Sequence, residues 1–203
     1  MFQQQFLQTL SQYTSNNTLS GNYWLEIERN YSSKKRHYHN LLHLDNLLKE
    51  LIEYQPLIKD WDMMIFAIAW HDIIYNVLKQ DNELKSAVFA EKKLLALDVA
   101  PEKIEKCKAL VNATKSHQAA SDADVNLFTD ADLSILGKPW DVYELYTKQI
   151  RAEYGIYPDI IYKPGRRKAL QHFLNMPRIF KTEQFAKYEE NSRVNLQREL
   201  QEL

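Results

Sequence analysis

The stretch Ile65-Phe66-Ala67-Ile68-Ala69-Trp70-His71-Asp72-Ile73-Ile74-Tyr75 sets an imidazole and a carboxylate side by side in an otherwise apolar run. The run extends from Asp62 to Leu78 and is apolar nearly all round, which predicts a helix buried at the centre of a helical fold. An ionised carboxylate buried without a partner is costly, so Asp72 must be paired or bound to a cation. For the dipeptide taken alone, bonds from His71 and Asp72 to nearby backbone or side-chain groups would serve equally well.

Two flanking segments repeat the anomaly. Upstream, His39, His43, Leu47 and Leu51 are spaced by four and share one row of a helix predicted over Asn40 to Tyr54 and stopped by Pro56. Two histidines thereby extend the core-facing stripe. Downstream, Phe128-Thr129-Asp130-Ala131-Asp132-Leu133-Ser134-Ile135-Leu136 places Asp132 four residues from both Phe128 and Leu136, on the apolar face. Asp130 is a plausible neighbour, whereas Asp122 and Asp124 read as solvated turn acids. Two imidazoles and two carboxylates, His43, His71, Asp72 and Asp132, make a donor set suited to Mn, Fe, Co, Ni or Zn. Magnesium also fits if waters fill the open positions.

The rest of the chain agrees with a helical fold. Only four glycines and six prolines occur in 203 residues, too few for the turns of many short strands. Phe2, Phe6, Leu7, Leu10 and Tyr13 predict an opening amphipathic helix, broken at Ser20-Gly21-Asn22, with a short helix from Tyr23 to Tyr31. Asp81 or Asn82 caps the next, Pro101 opens another ending near His117, and Val125 to Leu136 forms a short one ended by Gly137. Trp140 to Tyr154 reads as helix and Tyr157 to Gly165 as an irregular connector, with closing helices over Arg166 to Met176 and Thr182 to Leu203. The prediction is an all-α bundle of roughly eight to ten helices. It is a single domain over 1–203, with a metal core about 36–137 and C-terminal helices about 140–203.

A net charge of −1 gives no reason to expect a nucleic-acid polymer or a membrane surface as partner. The single cysteine, Cys107, lies among Ile104, Leu110 and Val111 and reads as a small core hydrophobe. No signal-peptide pattern opens the chain, and by elimination a cytoplasmic location is expected.

The ordering of a His, a His-Asp doublet and a distant Asp resembles the HD superfamily, and more narrowly its predicted metal-dependent phosphohydrolases. The matching segments are Arg36-His37-Tyr38-His39-Asn40-Leu41-Leu42-His43, Trp70-His71-Asp72-Ile73-Ile74-Tyr75 and Asn82-Glu83-Leu84-Lys85-Ser86-Ala87. Thr129 to Gly137, Gly165-Arg166-Arg167 and Asn195 to Leu200 match as well. The resemblance implies an HD-like helical fold with one or two metal ions, and hydrolysis of phosphate esters. It names no substrate beyond a small phosphorylated compound such as a nucleotide.

Such an ion would polarise a phosphoryl oxygen and acidify a water, with Asp72 both ligand and anchor for that water. Cations for the equatorial oxygens would come from Arg36, Lys115, His117 or Arg166, each of which can equally be a solvated or structural charge. Glu83 could orient water or protonate the leaving group, or simply complement a helix N-terminus. His39 could meet substrate or a second ion, or support the first from behind. Tyr38, Trp70 and Tyr75 could wall a ring, or pack the core. A non-hydrolytic nucleotide- or metal-binding regulatory protein on the same fold is the alternative function, and a purely structural ion a third.

Overall fold

A computed structural model describes residues 1–203. The chain is all-helical, with ten α-helices, three short 3-10 turns and no strand, and forms two compact units, Met1–Thr129 and Asp130–Leu203. No helix is long and apolar enough to cross a membrane.

The first unit is built around α4 (Trp61–Trp70), in which every residue from Met63 to Trp70 is buried. Asp60 starts it by accepting the Met63 N–H at 3.2 Å, the ordinary N-cap bond. Against α4 pack α1 (Phe2–Leu10), α3 (Leu41–Leu51), α5 (Asn82–Leu95) and α6 (Pro101–Ala113). Phe66 and Trp70, one turn apart, stack with ring centroids 5.1 Å apart, and Phe6 of α1 meets both edge-on. Fully burying each such aromatic stabilises the fold by about 1.5–3 kcal/mol.

Four local expectations fail in this unit. The central helix ends at Trp70 rather than Leu78, so His71 and Asp72 lie just past its C-terminus. Helix α2 (Asn17–Tyr31) runs straight through the expected break at Ser20-Gly21-Asn22. Its N-cap Asn16 accepts the Leu19 N–H at 3.0 Å, and Tyr23, Trp24, Ile27 and Tyr31 are buried along one side. Together these outweigh the cost of about 1 kcal/mol for an interior glycine. Helix α6 stops at Ala113, short of His117, which itself adopts a left-handed backbone with φ of 53°. Asp124 is also not the solvated acid expected: it is fully buried, accepts the Lys59 and Asp60 N–H groups at 3.0 and 3.2 Å, and pairs with Lys106 at 2.9 Å. It holds the turn that leads into α4.

Helix α7 (Ala123–Asp132) begins in the first unit, and its last turn, from Asp130, belongs to the second. That unit continues with α8 (Trp140–Glu153), α9 (Asp159–Leu174) and α10 (Glu189–Glu202). The expected irregular segment from Tyr157 to Gly165 is largely helix, because α9 continues through Pro164. Proline there removes the bond to the Ile160 carbonyl, but Ile160 is 82% exposed, so water can meet that oxygen. Anchors on both sides of the proline, Tyr162 and Leu170, keep the helix in place. The closing helix starts at Glu189 rather than Thr182 because the preceding residues fold back: Asp130 accepts the Lys181 and Thr182 N–H groups at 3.0 and 2.8 Å, and the Lys181 ammonium lies 2.9 Å from it.

Glu189 turns the same segment into a pH-sensitive contact. Burial alone would push its carboxyl up, but N–H bonds from Phe180 and Ile179 and the Arg193 guanidinium outweigh that and hold its pKa below the ordinary glutamate value. A carboxyl lowered in the folded state binds protons more readily when unfolded. Its stabilisation is therefore complete above the ordinary glutamate pKa and is lost as pH falls through the lowered, folded value. In urea unfolding, Glu189→Gln is expected to be less stable than the parent at neutral pH, with the difference shrinking in acid. A difference that stays constant with pH would refute this.

Candidate metal centre

Helix α3 carries His43 into the core beside Leu44 and Leu47, and the end of α4 brings His71 to it. The two rings meet with Nε2 of His43 3.1 Å from Nε2 of His71. The Asp72 Oδ2 lies 3.1 Å from the same His71 Nε2, and His39 Nε2 is 3.9 Å from that oxygen. His71 is 1% exposed and His43 4%, whereas the side chains of Asp72 and His39 are 16% and 21% exposed. The centre thus has a dry back formed by imidazoles and a solvent-facing rim.

Hydrogen-bond logic shows what this arrangement needs. Nδ1 of His71 is 3.1 Å from the Ile68 carbonyl oxygen, which can only accept, so Nδ1 carries the hydrogen. In the neutral ring Nε2 is then a lone pair, aimed at a carboxylate oxygen and at His43. A hydrogen on His43 Nε2 would satisfy one of those contacts and leave the carboxylate one. Electron pairs facing each other at this distance require a hydrogen or a cation between them: a proton on His71 or on Asp72, or a metal ion. Backbone support for a metal-ligating histidine of this kind is the usual outer-shell pattern. The donor chemistry therefore fits a divalent ion.

The segment after Asp72 is pinned from several directions. The Asp72 N–H donates to the Tyr31 hydroxyl at 3.2 Å. Arg36 donates from one nitrogen to the His39 carbonyl and from the other to the Ile73 carbonyl, both at 3.1 Å, while its guanidinium lies between the Tyr31 and Tyr75 rings. The Ile74 N–H donates to Ser86 Oγ at 3.1 Å, and Asn82 bonds both backbone groups of Asn76. Tyr75 packs on His39 with centroids 4.6 Å apart, and Tyr38 lies 5.1 Å from His43. Trp70, in contrast, belongs to the aromatic core.

The other expected residues are distributed as follows. Glu83 is half-buried in the first turn of α5, next to Asn82. Lys115 is exposed and donates to the Gln80 carbonyl at 3.1 Å, tying the end of α6 to the loop that follows the centre. His117 lies two residues beyond it. Arg166 is engaged in a two-pronged pair with Glu199, at 2.6 and 2.9 Å, deep in the second unit. Asp132 closes α7 one turn beyond Phe128, whose ring stands edge-on to His71 with centroids 5.7 Å apart. Asp130 is fully buried and serves the 181–182 backbone. Reasoning from sequence missed Tyr31, Ser86 and the Ile68 carbonyl. A tyrosine ending a helix before a polar connector and a serine in a helical stretch carry no local signal of such a role.

Neither a protein-family model, nor a curated protein, nor a solved structure matches the chain.

Proposed function

We propose that the chain is a metal-dependent phosphohydrolase acting on a small phosphate ester, with His43, His71, Asp72 and Asp132 holding a divalent ion. The observation that carries this reading is His71 Nε2 lying 3.1 Å from both the Asp72 carboxylate and His43 Nε2, with Nδ1 of the same ring on the Ile68 carbonyl. Asp132 is chosen because it follows Phe128, whose ring stands edge-on to His71, by one turn on the same helix row. Asp130, already engaged with Lys181 and Thr182, supports the choice by elimination.

When bound, the ion would polarise a phosphoryl oxygen and acidify an adjacent water. The remaining work falls to the chain itself. Asp72 would accept a hydrogen bond from the attacking water and aim it, since its backbone is held by Tyr31. His39, on the solvent-facing rim beside Tyr75, would meet a phosphoryl oxygen. Glu83, half-buried at the start of the helix that pins the 74–76 loop, would serve the leaving group.

Arg36 has a role beside the substrate contact its position suggested. Two of its donors clamp the backbone of His39 and Ile73, so toward the ion it is a positioning residue. Arg36→Lys, with one ammonium in place of a fork, is expected to weaken metal binding by about 10–100-fold, as outer-shell changes do. Calorimetric titration of Mn into both proteins reads this directly. Equal affinities would show the clamp to be dispensable.

The function is tested by metal analysis of the purified protein and a screen of phosphomonoesters, phosphodiesters and nucleotides with Mn, Co, Ni or Mg. Ion-dependent turnover that disappears in His71→Ala supports the hydrolase. Stoichiometric metal with ligand binding but no turnover would replace it with a binding protein on this fold. Unfolding on removal of the ion would make the metal structural.

A further inference from the structure

Beside the metal centre the first unit has a hollow of about 360 Å³, at the small end of ligand-sized pockets. Its wall includes Ser32, Ser33, Lys34 and Arg36, and Tyr31 and Leu42 also line it. No carboxylate lines it, so the residues around the hollow include two cations and two serines and no neutralising acid. Arg36 gives one bond from each terminal nitrogen to the carbonyls of His39 and Ile73, and a guanidinium has five N–H groups, so three remain. Lys34, Ser32 and Ser33 are exposed, in a polar connector that follows α2. Hydroxyl and cationic donors without an opposing acid are the chemistry that holds a phosphate.

The hollow is joined to the centre through shared walls. Tyr31 lines it and accepts the Asp72 N–H at 3.2 Å, and Arg36 lines it and donates to the Ile73 carbonyl at 3.1 Å. A group held there is one side chain away from the proposed ion. We propose that the hollow is a second phosphate subsite: the substrate carries one phosphoryl group at the metal centre and a second, non-reacting phosphate held by Lys34, Arg36, Ser32 and Ser33. The substrate class is thus a small bisphosphate, such as a sugar or nucleoside with phosphates at both ends. This rests on the hydrolase reading for the first phosphate alone. Binding energy from the remote phosphate orients the reacting one, which is how non-reacting parts of a substrate contribute to rate.

The test begins with binding to metal-free protein, where no turnover intervenes. Inorganic phosphate, followed by amide NMR, is expected to shift Ser32, Ser33, Lys34 and Leu42 and to bind about tenfold more weakly to Lys34→Glu, a loss typical of one charge-assisted bond. Added salt weakens the same shifts. With Mn restored, a nucleoside 3′,5′-bisphosphonate, which resists hydrolysis, is expected to bind about tenfold more tightly than the 5′-phosphonate, and Lys34→Glu to erase that preference. Lys34 is exposed, so circular dichroism of the variant should match the parent. Phosphate shifts elsewhere on the chain, or a Lys34→Glu variant that binds phosphate as the parent does, would overturn the subsite. Phosphate binding at Lys34 without any bisphosphonate preference would make the hollow a site for a free anion and overturn the substrate class. Both binding results together with a complete lack of metal-dependent turnover would instead remove the hydrolase reading and leave the subsite standing.

Discussion

His71→Ala is expected to abolish divalent-ion binding, with a loss well beyond the about 10–100-fold of an outer-shell change, and to remove ion-dependent turnover with it. The reason lies in how many roles one ring fills. Its Nδ1 hydrogen is taken by the Ile68 carbonyl, and its Nε2 is the atom shared by the contacts to His43 and Asp72. Without it the Asp72 carboxylate loses the group 3.1 Å away, and the ring of His43 faces a gap. Calorimetry with Mn or Zn, alongside circular dichroism to confirm that the variant is folded, makes the measurement. A folded His71→Ala protein that binds the ion as tightly as the parent would sink the assignment of the centre. Asp132→Ala is the companion experiment, since it separates Asp132 from Asp130 as the acidic ligand.

In the second unit, Glu199→Ala is expected to reduce stability by about 3–5 kcal/mol, because it strands a charge rather than merely deleting a bond. Glu199 and the Arg166 side chain are only 9% and 10% exposed, and the guanidinium donates to both carboxylate oxygens. The Tyr143 hydroxyl donates to the same carboxylate, and burial together with that negative charge raises the Tyr143 pKa. Removing the carboxylate leaves Arg166 without its counter-ion and Tyr143 without its acceptor. Urea unfolding of the two proteins measures the difference. Replacing both partners by apolar residues, Arg166→Met with Glu199→Leu, should recover most of the loss, since paired removal strands nothing. A loss below about 1 kcal/mol for the single variant would mean that the pair behaves as a solvated surface bridge.

The two predictions bear on residues that stood very differently in the sequence. The row of His39, His43, Leu47 and Leu51 was legible because spacing by four within one helix needs no knowledge of the rest of the chain. The same holds for Phe2, Phe6 and Leu10 in α1, all buried, and for Pro101 at the first position of α6. Arg166 was not legible. A charged residue after Pro164-Gly165 reads as a cation for a phosphate or as a solvated or structural charge, and only the approach of α10 makes it a buried pair with Glu199, 33 residues later. Asp124 misled for a related reason: the N–H groups it satisfies belong to Lys59 and Asp60, 65 and 64 residues away. Gly21 and Pro164 misled in the opposite direction. Each is a local breaker, and each sits inside a helix whose buried side chains outweigh it.

Composition and periodicity are local quantities, and they sufficed for an all-helical chain with a buried central helix and a His-Asp pair in an apolar setting. They could not supply the end of that helix. Periodicity continues past Trp70, but the backbone turns there because Tyr31, Arg36, Ser86 and Asn82 provide partners for residues 72–76 that a longer helix would not offer. Nor could they supply the direction of the His71 ring, which is set by the Ile68 carbonyl and by the packing of α3 on α4. A hydrogen-bond partner 3 residues away and an imidazole 28 residues away meet at one side chain only once the helices have packed. Which side chains sit on an apolar face follows from helical pitch; which atoms face one another across that packing depends on every contact that orients the helices.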